Sequence, residues 1–100
     1  MRLTVEQRNI VRKTASEVFG EDVDVYLFGS RVDDTAKGGD VDLLVESNKP
    51  IPDSLAKTLT MTARLQLRLG DQKIDVVAHD PQMDVEPIYQ HAKNSGVRIT

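Results

Sequence analysis

The run Gly39-Asp40-Val41-Asp42-Leu43-Leu44-Val45 leaves a folding chain little choice but a β-strand. Side chains at i and i+2 of a strand share a face. Val41, Leu43 and Val45 therefore form an apolar edge for a core, and Asp40 and Asp42 project together on the other side. Two carboxylates held close repel unless a cation sits between them. Upstream, Val23–Phe28 is rich in β-branched and aromatic residues and reads as a strand ending in the turn Gly29-Ser30-Arg31. A third acid, Asp75, lies in the short apolar run Lys73-Ile74-Asp75-Val76-Val77. Three carboxylates on neighbouring strands beside a turn that phosphate can approach are what metal-assisted phosphoryl transfer requires. Each part alone has a plainer reading. The paired acids suit a hydrated strand edge, Asp75 can pair with Lys73 on its own face, and Gly29-Ser30 alone is a turn.

The rest of the chain sets bounds on this reading. One hundred residues suffice for one domain with a real core, and 39% hydrophobic with 29% charged residues fits a globular protein. Only four aromatic residues are present, so the core must be aliphatic. The formal net charge of -3 offers no general attraction to nucleic acid, and direct nucleic-acid binding is not expected. The absence of cysteine excludes disulfides, zinc–thiolate sites and thiol catalysis. The N-terminus Met1-Arg2-Leu3-Thr4 lacks the apolar run of a signal peptide, and no stretch approaches a membrane span. A cytoplasmic location without membrane contact is the expectation.

Along the chain, Thr4-Val5-Glu6-Gln7 matches a capping box, and Ile10, Val11, Ala15, Val18 and Phe19 recur at helical spacing up to Gly20. After the first two strands, Pro52-Asp53-Ser54 marks a second helix entry. Leu55, Leu59, Ala63, Leu65, Leu67 and Leu69 carry that helix to Gly70, with the stripe from Met61 to Leu69 expected in the core. Its cations Lys57, Arg64 and Arg68 read as a solvated face. Lys73–Ala78 is the third strand, and His79 a loop residue. Asp84-Val85-Glu86-Pro87 opens a third helix that contains His91, and Val97-Arg98-Ile99 supplies a short final strand. Tyr26 is expected to be packed. The fold class is α/β (α+β), a small mixed β-sheet flanked by helices, with residues 1–100 forming a single domain.

In Gly29-Ser30, Asp40-x-Asp42 followed by Leu43-Leu44-Val45, and Asp75 on a later strand, the chain resembles the nucleotidyltransferase superfamily that includes DNA polymerase beta. It resembles especially the minimal nucleotidyltransferase branch. Three parts at compatible spacing are far more specific than a lone Asp-x-Asp. Two departures stand out. Arg31-Val32-Asp33-Asp34 replaces the Ala-Arg-Gly-like continuation common after Gly-Ser, and Gly39 stands where many relatives have Ser. Neither removes a metal ligand.

The resemblance implies a nucleotidyltransferase fold and transfer of a nucleoside monophosphate, AMP from ATP, to a hydroxyl with release of pyrophosphate. Asp40, Asp42 and Asp75 would be the catalytic metal ligands for two Mg2+ ions, carboxylate oxygens being hard donors suited to a hard cation. Asp75 could also accept the acceptor's proton. Gly29 allows close backbone approach, and Ser30 offers its amide and hydroxyl to the phosphates. Arg31 and Lys37 are candidates for neutralising triphosphate charge, Arg31 being equally able to pair with Asp33 or Asp34. Larger relatives add a helical acceptor-binding domain that is not evident in these 100 residues. A protein acceptor follows as the expectation. Small members are commonly paired with helical HEPN-family proteins in toxin–antitoxin modules, so the implied acceptor is a toxin tyrosine, and the implied role that of an antitoxin. The alternatives are a catalytically idle subunit that caps a toxin or binds a nucleotide, and a dimeric antibiotic adenylyltransferase. A homo-oligomer is compatible with any of these.

Overall fold

The computed structural model describes residues 3–28, 41–70, 73–82 and 96–99. Its elements run α1 (Val5–Phe19), β1 (Val23–Phe28), β2 (Val41–Ser47), α2 (Ser54–Leu69), β3 (Ile74–His79) and β4 (Val97–Arg98). The third helix expected from Asp84 onward, with His91, lies outside the described residues. So do Gly29, Ser30, Arg31, Lys37 and Asp40.

Helix α1 starts where Thr4 caps it. The Thr4 hydroxyl accepts from the Gln7 amide, and the Gln7 side chain accepts from the Thr4 amide, each at 3.0 Å. It stops at Gly20, whose φ of 87 and ψ of 178 belong to a region that only glycine enters without strain. Helix α2 opens differently from its sequence signal. Pro52 stands outside the helix, and the capping residue Asp53 sits in the left-handed region at φ 55 with no side-chain cap bond. Aspartate is one of the few residues that enter this region readily.

The four strands form one mixed sheet in the order β3-β2-β1-β4. β1 pairs antiparallel with β2 and with β4, and β2 pairs parallel with β3. Parallel neighbours need a crossover, and α2 supplies it. Two strands outrun their sequence reading. β2 continues through Glu46 and Ser47, which pair with Asp24 and Val23, and β3 reaches His79, which pairs with Glu46. Polar residues at the ends of these runs signal a loop locally, but a neighbouring strand with open amides and carbonyls extends the ladder through them.

The alternation in each strand divides the molecule into two clusters. On one face, Val25, Leu27, Val41, Leu43, Val45 and Ile74 meet Val11 and Ala15 of α1 and Met61 and Leu65 of α2. On the other face, Phe28 and Leu44 pack with Tyr26 and Val77. Burying one such aliphatic side chain contributes roughly 1.5–3 kcal/mol, so the larger cluster dominates cohesion.

The stripe read as core on α2 is only partly so. Within it Met61 and Leu65 are fully buried but Leu67 is 87% exposed, and ahead of it Leu55 and Leu59 are 72% and 63% exposed. Arg64 and Arg68, read as solvated, are exposed, and their guanidinium groups also reach α1. Arg68 Nη1 donates to Thr14 Oγ1 at 2.7 Å, and Arg68 Nη2 and Arg64 Nη1 meet Glu17 Oε1 at 2.9 and 3.2 Å. Thr14 passes its own hydroxyl proton to the Ile10 carbonyl, so the buried oxygen is satisfied on both sides.

At the far end of β3, Asp80 is almost fully buried. Its two carboxylate oxygens accept from the amides of Ile51 at 2.7 Å and Gln82 at 2.9 Å. The loop entering α2 is thereby tied to the end of the strand that follows the helix.

Candidate functional site

Strand register decides which acids meet. Asp42 of β2 pairs with Asp75 of β3, and on its other side with Phe28 of β1. Paired residues on adjacent strands project to the same face, about 5 Å apart between strands. Asp42 and Asp75 are therefore neighbours on the face opposite the two helices, in one row with Phe28. The next row along that face is Tyr26, Leu44 and Val77, so the carboxylates border an apolar floor. Asp42 is half-buried and Asp75 exposed.

Neither carboxylate points into the main core, whose side of β2 and β3 is taken by Val41, Leu43, Ile74 and Val76. Among the described residues no ion pair joins Lys73 to Asp75, the bland alternative for this acid. The third candidate ligand, Asp40, directly precedes Val41 in the chain. The turn residues Gly29, Ser30 and Arg31 directly follow Phe28. All four lie outside the described residues, so the geometry of the site rests on Asp42 and Asp75.

As a donor set, two carboxylates on adjacent parallel strands suit a divalent cation. Hard oxygen ligands match a hard ion, and the rigid sheet holds them at a fixed spacing. Among the described residues no group of three or more His, Asp or Glu side chains is arranged as a metal cage. The two acids thus form a partial set, open to further ligands from outside the described segments or from a substrate.

Register also brings out what the sequence pattern did not single out. Phe28 read only as a strand residue, yet it lies directly across from Asp42, and its place in the β1 alternation is the signal that marks it. At the opposite end of the same face Asp24, Glu46 and His79 occupy a second polar row. A cavity of about 470 Å³ lined by Asn9, Arg12, Lys13, Ser16 and Glu21 opens between α1 and the start of β1 at Val23. Asp42 lies across from the other end of that strand, so this cavity is remote from the carboxylates. No helix among the described residues is long and apolar enough to cross a membrane.

No curated protein matches the chain. The family model described as "Nucleotidyltransferase domain" matches residues 8–97, which takes in α1 from Arg8 onward, all of α2, the first three strands and all three candidate acids. The mixed sheet with its two helices is compatible with that fold, and with nearly the whole chain matched, this protein belongs to the nucleotidyltransferase domain family.

Proposed function

We propose that the chain uses ATP and Mg2+ to adenylylate a tyrosine of a HEPN-family helical partner, silencing it as the antitoxin of a toxin–antitoxin pair. Nucleotidyl transfer itself follows from the family. The observation that carries the site assignment is the register pairing of Asp42 with Asp75 on the sheet face opposite α1 and α2. Support for the acceptor comes from the resemblance of Gly29-Ser30, Asp40-x-Asp42 and Asp75 to the minimal branch of the superfamily.

When bound, the divalent cations neutralise triphosphate charge and lower the pKa of the attacking hydroxyl. The chain's own residues do the positioning. Asp42 holds its ligand oxygens on a strand locked between two neighbours, and Asp75 presents a second carboxylate beside it. Asp75 is also assigned the acceptor's proton, a role that its exposure supports. Gly29 and Ser30 supply backbone approach and donors to the phosphates, Arg31 adds positive charge, and Asp40 completes the ligand set.

The test uses α-labelled ATP, Mg2+, the chain and a HEPN-family partner. The expected outcome is label on one partner tyrosine, located by mass spectrometry, and none with Asp42→Asn. Label on a small-molecule hydroxyl instead would transfer the assignment to an antibiotic-type acceptor. Nucleotide binding without any transfer would make the chain a capping subunit.

A further inference from the structure

The outward face of α2 has no role in the site, and its chemistry is unusual for solvent. Leu55, Leu59, Ala63 and Leu67 follow one another at intervals of four and form a continuous ridge. Ala56, Thr60 and Gln66 flank it, and all seven side chains are exposed. None is charged. The helix's cations lie elsewhere on its circumference, with Arg64 and Arg68 drawn toward Glu17 of α1. A wide, uncharged, leucine-bearing face of this kind marks an interaction surface.

The face matches itself. Leu55 and Leu59 stand beside the small side chains of Ala56 and Thr60, so the leucines of one copy fit the shallow groove of another, as an isologous contact demands. No like charges oppose each other across such a contact. Charge also selects the direction. Asp53, at the N-terminal end of α2, is exposed and does not spend its carboxylate on capping the helix. Arg64 and Arg68 lie on the same flank toward the C-terminal end. An antiparallel twofold pairing sets the Asp53 end of one copy beside the arginine end of the other, and opposes the helix dipoles favourably. A parallel pairing loses both features. We infer that the chain self-associates through α2 as an antiparallel twofold dimer, with the Leu55–Leu59–Ala63–Leu67 ridge at its centre. The inference stands apart from the acceptor proposed above, because the carboxylates lie on the other face of the sheet.

Sixteen residues of helix span about 24 Å. One such face covers less than the roughly 800 Å² per partner of a standard interface. The dimer is accordingly weak and concentration-dependent. Sedimentation equilibrium of the full chain from about 1 μM to about 1 mM should show the mass rise from 11.1 kDa toward twice that value. The double variant Leu59→Glu, Leu67→Glu changes only exposed positions, so its circular dichroism should stay native while its dimerisation weakens about tenfold or more. Because the chain has no cysteine, single thiols report direction. Ala63→Cys should cross-link to itself with a short bifunctional thiol reagent. Leu55→Cys should not, since antiparallel copies hold those positions about 20 Å apart. A monomer at every concentration, a dimer indifferent to the glutamates, or self-linking at position 55 in preference to 63 would each overturn the inference. Monomeric behaviour alone with capture of another protein on this face would overturn it as well.

Discussion

At the scale of single residues, Asp42 and Asp75 differ in their surroundings. Asp42 is half-buried with strands on both sides, whereas Asp75 is exposed, its strand β3 closing the described sheet on that side. Removing either ligand charge should cost at least about 100-fold in nucleotidyl transfer. Single-turnover rates of the two variants against the wild type check this. Asp80 makes the contrasting case, a carboxylate with a structural duty. Asp80→Ala strips the acceptor from the Ile51 and Gln82 amides and should lower stability by about 2–4 kcal/mol, measured by urea unfolding, without abolishing metal binding. What could be read from residues alone was the alternation of Asp40–Val45 and the isolation of Asp75 in an apolar run. What could not be read was the register. A slip of one residue would send Asp75 to the helix-covered face, and only the pairing of two whole strands forbids it. Asp40, Gly29, Ser30 and Arg31 stay as the sequence alone presents them.

Among the elements, α2 shows where local pattern stops being informative. Leucine or methionine at 55, 59, 61, 65, 67 and 69 surrounds most of the helix, so periodicity finds the helix but not its buried side. The choice is made by α1 and the sheet, which take Met61 and Leu65. The contacts of the two exposed arginines were hidden for a related reason: their partner Glu17 lies far away in the sequence and becomes a neighbour only when the two helices pack. Helix α1, by contrast, was legible from end to end, since its capping box and terminal glycine act through bonds within a few residues. The hydrogen bond from Arg68, aided by the charges of both arginines, holds the Glu17 carboxyl below the ordinary carboxylate range. A lowered folded-state pKa means that the unfolded chain takes up the proton first as the medium is acidified. The stabilisation is thus complete above about pH 4.5 and is lost as pH falls through the folded value. Melting temperatures of the wild type and Glu17→Gln should differ by a constant, small amount at neutral pH and converge in acid. A gap that widens in acid would contradict the helix-clamp assignment.

For the whole molecule, the mixed topology links ligand and fold. Any species that binds the native state but not the unfolded chain raises its stability by mass action. With a dissociation constant of about 1 mM, 10 mM Mg2+ should add about 1.4 kcal/mol. For a domain of this size that is a rise in melting temperature of about 6 °C. Asp42→Asn should abolish the rise, and Ca2+ in place of Mg2+ should support part of it, since both favour oxygen ligands. Differential scanning fluorimetry distinguishes these outcomes without any turnover.

The parallel junction of β2 with β3 carries one last implication. Asp42 is synthesised well before Asp75, and α2 must be made and folded back before the second carboxylate can reach the first. A nascent or truncated polypeptide ending within the crossover therefore has only half of this pair and no means of gripping a cation between them. On the function proposed above, activity would wait until the edge strand β3 docks against β2, and products truncated before it would be inert.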